Sequence, residues 1–272
     1  MSKISRTVNA IKYGFKSKLL AKHRLYRDYA FDEGNLSLIK DFVRQLDCET
    51  VFAFVGLRDV KHSLGLSDPV DYVQNLLLHE FKSVIVPTFT PSVRKTGFFH
   101  VKNTLSEVGA FSKHISQIAD YRTPSPLKSY AVVGPIDNRM RQLQFYDDFG
   151  TNGSYEFLVK NKISVLNIGT RDPRFSCIHY VEYMSQVPYC SMVEHHIEVA
   201  DDSGKSEIAL YRDIHHTHKF KNNLRKIEQD LINNGLMHKI KVNDLMLRIL
   251  PNQDYFDYLL ERCKQNPYYL VD

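Results

Sequence analysis

The sequence predicts an α/β protein, one domain of buried strands alternating with amphipathic helices and closing in a C-terminal α+β portion. Three observations carry this. Short apolar runs recur at 50–57, 83–90, 128–135 and 162–170, each of strand length, as strands covered on both faces are. Stretches with helical spacing fall between them. The last third then changes character, to two alternating runs around a turn and two further helices.

Taken in chain order, "NLSLIKDFVRQL" (35–46) has helical spacing, with Asn35 or Ser37 as the expected cap. "TVFAFVGL" (50–57) is a buried strand. "DPVDYVQNLLLHEF" (68–81) is a helix with Asp68 as N-cap and Pro69 at its first position, where a missing N–H costs nothing. "SVIVPTFT" (83–90) is the next strand, ended by Pro87. This strand–helix–strand order implies a right-handed crossover. "KSYAVVGP" (128–135) is a third strand, stopped by Gly134-Pro135, "SYEFLVKN" opens a helix, and "KISVLNIGT" (162–170) is a fourth strand. "IHYVEYMS" follows after a turn containing Asp172-Pro173. The runs flanking "DDSGK" read as a hairpin. "FKNNLRKIEQDLINNG" (220–235) is a helix with Gly235 as its C′ stop, and 254–267 is the last helix.

Composition narrows the class. The 272 residues are 43% hydrophobic and 25% charged, with net charge +5, the ordinary range of a globular protein. Cys48, Cys177, Cys190 and Cys263 form no CxxC pair, so neither a zinc site nor a disulfide framework is indicated. No apolar stretch has the length of a membrane span, and the N-terminus lacks a signal-peptide core. A cytoplasmic location is expected. Residues 1–34 are read as a basic N-terminal helical extension and 35–272 as a single domain. The extension is a solvated helix on the plain reading; on the sharper one its basic face touches a membrane surface. Nucleic acid is not an expected partner.

Several chemistries are absent from the motif content. There is no GxxxxGK[ST], no GxGxxG after a strand and no GxSxG. The glycines of "FGTNGS" (149–154) read as a turn. Among twelve histidines, "HHIE" (195–198) and "DIHHTH" (213–218) are the dense spots. Strand periodicity lets His216 and His218 converge, with Asp213 reaching from the same segment, yet no further ligand or outer-shell partner is visible. No metal is expected.

His179 and Glu182, in "SCIHYVEYM" (176–184), share a face if this segment is helical. They follow a strand, near the end where open α/β sheets place ligands. A carboxylate beside an imidazole fixes its tautomer and suits general-base work. The structural alternative is a histidine bonded to a glutamate to steady a helix start, and the residues alone leave both open.

Five segments in order resemble the aminoglycoside 3-N-acetyltransferase family. These are "VPTFT" (86–90), "NTLSEVGAFSK" (103–113), "RTPSPLKSYAVVGP" (122–135), "YEFLVKNKISVLNIG" (155–169) and "SCIHYVEY" (176–183). The last is similar to that family's Thr-x-Leu-His-x-x-Glu-Tyr, with Ser176 in the Thr place, His179 in the His place and Glu182 in the Glu place. The resemblance implies a mixed central sheet flanked by helices and acyl transfer from acetyl-CoA or another acyl-CoA to an amine. His179 would be the base, Glu182 its support, and the Ser176 hydroxyl a donor to the oxyanion or leaving sulfur. It further implies a donor site around Gly56, Leu57, Arg58, Thr88, Arg122, Thr123 and Ser129, and an acceptor site at Arg171, Asp172 and Asp213.

The departures are specific. The family's His-x-Ser-Leu is "FVGL" (54–57) here, the His of Arg-Ser-x-His-Pro is Ser125, and the Asp four residues after the strand-end Gly is Pro173, with Asp172 one place early. Arg94, Lys95, Arg122, Lys128, Arg171 and Arg174 cluster near the expected site. Like charge repels a polycationic antibiotic and attracts phosphate. The expected acceptor is therefore an amino sugar, nucleotide-linked and used in surface polysaccharide assembly. The competing expectations are aminoglycoside acetylation and a non-catalytic binding module that has lost its CoA site.

Overall fold

The computed structural model describes residues 26–135, 137–217 and 219–271. Most of the expected N-terminal extension, and His218, lie outside these residues. The expected mixed α/β architecture is present. The chain folds in the order α1 (Glu33–Val43), β1 (Thr50–Val55), α2 (Leu57–Leu64), α3 (Pro69–Glu80), β2 (Ser83–Pro87), α4 (Val93–Thr96), β3 (Phe98–His100), α5 (Ala110–Ile118) and β4 (Tyr121–Arg122). Then come β5 (Tyr130–Val133), α6 (Asn138–Arg141), α7 (Ser154–Lys160), β6 (Ser164–Ile168), α8 (Ile178–Met184), β7 (Cys190–Ala200) and β8 (Ser206–His216). The chain closes with α9 (Leu224–Asn233), β9 (His238–Val242), β10 (Leu245–Leu250) and α10 (Asp254–Gln265).

The central sheet has seven strands in the order β4-β5-β2-β1-β6-β10-β9. Its middle is parallel: β1 pairs with β2 and with β6 in the same direction. Both wings are antiparallel, through β5 on β2 and β10 on β6. In the last third, β9 and β10 complete the main sheet. The predicted hairpin is longer than its sequence signal, Cys190 pairing with His216 and Ala200 with Ser206. With β3 it makes a second sheet, in the order β3-β7-β8.

Strand parity explains the two cores. Successive side chains point to opposite faces, so Val51 and Ala53 join the layer of Val73, Leu77 and Leu166, while Phe52, Phe54 and Val165 join an aromatic layer with Tyr130, Phe175, Tyr180 and Tyr255. Asp68 caps α3 as expected, accepting from Val70 and Asp71 N–H at 3.0 Å, with Pro69 at its start. Gly235 stands just past α9 with φ +70°, the left-handed stop that glycine favours. The cap of α1 is Asp32, accepting from Gly34 N–H at 2.9 Å, rather than Asn35 or Ser37. Residues 56–57 leave the predicted strand early and open α2. Among the described residues, no helix is long and apolar enough to cross a membrane.

Candidate active site

The site forms where three parallel strands end together. Gly56 follows β1, Pro87 and Phe89 close β2, and Gly169 to Arg171 follow β6; all line one open cavity of 1510 Å³. Gly169 takes φ +67°, which turns the chain out of β6. The 170–177 segment then leads from β6 to α8. Asn167, buried in β6, pins it by accepting from Arg174 N–H at 2.5 Å and donating to the Arg174 carbonyl at 2.8 Å. This segment delivers Ser176 and His179 to the cavity wall.

His179 sits in the first turn of α8, partly exposed. Its Nδ1 lies 2.7 Å from Glu182 Oε2, the i,i+3 contact that a helix provides. Glu182 is 1% exposed, and its carboxylate is fully engaged. Oε2 also meets His216 Nε2 at 2.9 Å, while Oε1 accepts from Asn222 Nδ2 at 2.7 Å and from the Tyr189 hydroxyl at 3.4 Å. Burial opposes ionisation, but the hydrogen bonds of His179 and His216 prevail, and the Glu182 pKa falls to about 2. The anion thus holds His179 with Nδ1–H toward Glu182, leaving Nε2 as the nitrogen available to a bound molecule.

The ligating atoms of His179, Glu182 and His216 come within 4.8 Å of one another. Both rings meet Oε2 at hydrogen-bond lengths. Of the group that strand periodicity could have brought together, His218 lies outside the described residues, and His216 and Asp213 have different partners. His216 serves Glu182, whereas Asp213 pairs with Lys128 and with Arg94 Nε, the latter at 2.9 Å.

The other predicted positions separate into two groups. Gly56, Arg171 and Ser176 line the cavity with His179. Leu57 and Arg58 lie on α2 outside the lining, Arg58 over the Tyr26 ring at 5.6 Å. Thr88, Arg122, Thr123 and Ser129 are buried and do not line the cavity. They form a scaffold behind it: Thr88 Oγ1 donates to the Ser129 carbonyl at 3.0 Å, and Tyr130 N–H donates to Thr123 Oγ1 at 2.8 Å. Arg122 donates to the Val101 and Thr88 carbonyls at 3.0 and 3.1 Å, and burial lowers its pKa to about 10. Asp172 is half-buried outside the lining, and Asp213 is 2% exposed, a counter-ion within the protein and not on the cavity surface.

The charge on the wall is also more balanced than the sequence implied. Asp59 and Glu107 line it together with Arg171 and Arg174. Lys128 lines it too but is neutralised by Asp213. The Arg171 and Arg174 side chains are exposed and make no ion pair among the described residues.

This arrangement can be set beside known proteins. The sequence profile of aminoglycoside 3-N-acetyltransferase matches residues 78–264, more than half of the chain. The chain belongs to that family. Its general chemistry is accordingly that of an acyltransferase. No curated protein sequence matches. Solved structures share the fold at low identity. Aminoglycoside acetyltransferase AAC(3)-Xa superposes with TM-score 0.70 at 17% identity, covering 89% of this chain and 94% of its own. AAC-VIa with bound sisomicin gives 0.67 at 15%, covering 84% and 97%. AAC-IIIb with CoASH gives 0.67 at 11%, covering 84% and 96%.

Sequence reasoning paired His179 with Glu182 but did not see Tyr189, Asn222 and His216 around the same carboxylate. Only the alternation in "DIHHTH" hinted at His216. Nothing local marks Asn222, which lies 40 positions from Glu182.

Proposed function

We propose that the protein transfers an acyl group, acetyl in the simplest case, from acyl-CoA to the amine of an amino sugar that carries phosphate. A nucleotide-linked amino sugar for surface polysaccharide assembly is the class in mind. One observation carries the reading: the imidazole of His179, oriented by Glu182 at 2.7 Å, opens onto the cavity at the strand ends. An ammonium has no lone pair, so the acceptor must lose a proton to attack. His179 Nε2 takes that proton and passes it to solvent, and the neutral nitrogen bonds to the thioester carbon. The C–S bond then breaks, and a second proton, released by the acylated nitrogen, goes to the leaving thiolate. Ser176, on the same wall, has a hydroxyl suited to donate to the oxyanion. The donor assignment draws support from the CoASH held by AAC-IIIb.

The acceptor class rests on Arg171 and Arg174, exposed at the cavity without ion-pair partners among the described residues. Arginine forks match phosphate oxygens. A second reading is aminoglycoside acetylation, favoured by Asp59 and Glu107 on the same wall and by the sisomicin held by AAC-VIa. Mass spectrometry of the purified protein with acetyl-CoA separates the two. The panel contains nucleotide-linked amino sugars, free amino sugars and aminoglycosides. Acetylated nucleotide sugar is the expected product. Acetylated aminoglycoside alone establishes the second reading, and no product together with no calorimetric CoA binding leaves a binding module.

A further inference from the structure

Glu182 holds one negative charge and two imidazoles. His179 reaches it from the same helix, His216 from β8 of the second sheet, and both meet the same oxygen. The rings stand edge to face with centroids 5.6 Å apart. His216 is half-buried, and its Nε2 lies 2.9 Å from the buried carboxylate of Glu182, a contact that favours an imidazolium. The bond to Glu182 is the largest influence on His216 and, over the opposing effect of burial, raises its pKa.

Three further titratable groups stand by the pair among the described residues. Tyr189 lies edge-on to His216, Cys190 pairs with it across the hairpin, and Cys263 faces Glu182 from α10. Burial pushes all three pKa values up, so each keeps its proton at neutral pH. Asn222 is uncharged. Of the two imidazoles on Glu182, His179 lines the cavity and His216 does not.

We propose that His216 is a positioning residue acting through Glu182: as an imidazolium it neutralises the carboxylate, so that Glu182 orients His179 without holding it in the protonated form. This rests on the reading of His179 as the base. The logic is a trade-off. A bare carboxylate at 2.7 Å orients an imidazole but also stabilises the imidazolium, and a base that already holds a proton accepts no other. A cation on the far side of the carboxylate keeps the orientation and removes most of the field.

Residue-assigned ¹⁵N NMR of the intact protein tests this without substrate, which matters because rings coupled through one carboxylate titrate together. At pH 7 both ring nitrogens of His216 are expected to carry protons. His216→Gln keeps a donor toward Glu182 and drops the charge. In that variant the pH at which the His179 ring signals change is expected to rise by roughly one unit, and His216→Lys is expected to reverse most of the rise. The acid limb of kcat/KM against pH, with acetyl-CoA and whichever acceptor the panel yields, should move in step. A neutral His216 ring at pH 7, or an unmoved His179 transition in His216→Gln, overturns the proposal. Absence of acyl transfer sinks the catalytic reading instead, and the NMR result still decides the charge of His216.

Discussion

Gly56 and Gly169 meet backbone to backbone at the ends of adjacent parallel strands. A Cβ on Gly56 would stand 2.1 Å from the Gly169 carbonyl oxygen, and one on Gly169 would stand 2.6 Å from that of Gly56. Gly56 N–H also donates to the Ile168 carbonyl at 2.8 Å, so the two turns leave the sheet as one unit. This contact sets the floor of the cavity. Gly56→Ala and Gly169→Ala are both expected to destabilise, Gly169→Ala through its φ of +67° as well as through contact. A loss of about 2 kcal/mol or more is expected in denaturant unfolding.

Asp213 holds a lysine of the cavity wall, Lys128. It is 2% exposed and is shared by Lys128, 7% exposed, and Arg94. Burial opposes its ionisation, but the Lys128 and Arg94 interactions hold its pKa below the usual carboxylate range. Asp213→Ala leaves Lys128 buried without its partner, and a loss of about 3–5 kcal/mol is expected. Adding Lys128→Met should recover part of that loss in the same unfolding measurement. An additive double variant would contradict the pairing.

Stability should vary with pH in two directions. The Glu182 pKa is depressed from 4.5 to about 2. Its contribution is therefore present above the unfolded value and lost as pH falls from about 5 to about 2, on the order of 3 kcal/mol in all. The His216 pKa is raised above 6.5, so its contribution is complete below that value and fades as pH rises through the folded value. Urea unfolding from acid to alkaline pH is expected to show both slopes. Glu182→Gln should flatten both, because each depends on the shared carboxylate.

How much of this was legible in the chain depends on distance along it. The three parallel strands are β-branched runs covered on both faces, and their sequence signal is local. β9 and β10 were missed because "HKIKVNDLMLRIL" reads half polar: β9 lies at the sheet edge with mostly exposed side chains. Asn243, at φ +54°, is the turn residue that could have announced this hairpin. At the site, His179 and Glu182 are three positions apart and lie on one helix, so their contact follows from spacing alone. His216 is 34 positions from Glu182, across a turn and a strand. The burial rhythm of β8 breaks after Asp213, with Ile214 and His216 half-buried and His215 exposed. The sequence reading let Asp213 reach toward His216, and this change of face is why the structure gives them different partners.

Arg171 and Arg174 carry the acceptor expectation. Arg171→Gln and Arg174→Gln should each raise KM for a phosphate-bearing acceptor about tenfold, the scale of one charge-assisted hydrogen bond, with kcat little changed. Raising ionic strength should weaken the wild type and affect the double variant less. Equal effects on a neutral amino sugar would remove phosphate recognition from these residues.

The most direct test of the central claim is acetyl transfer by His179→Ala measured across pH. The account predicts a loss of about 10²–10⁴-fold in kcat/KM at neutral pH, narrowing at alkaline pH where the acceptor amine sheds its proton unaided. Turnover equal to wild type at neutral pH would contradict it.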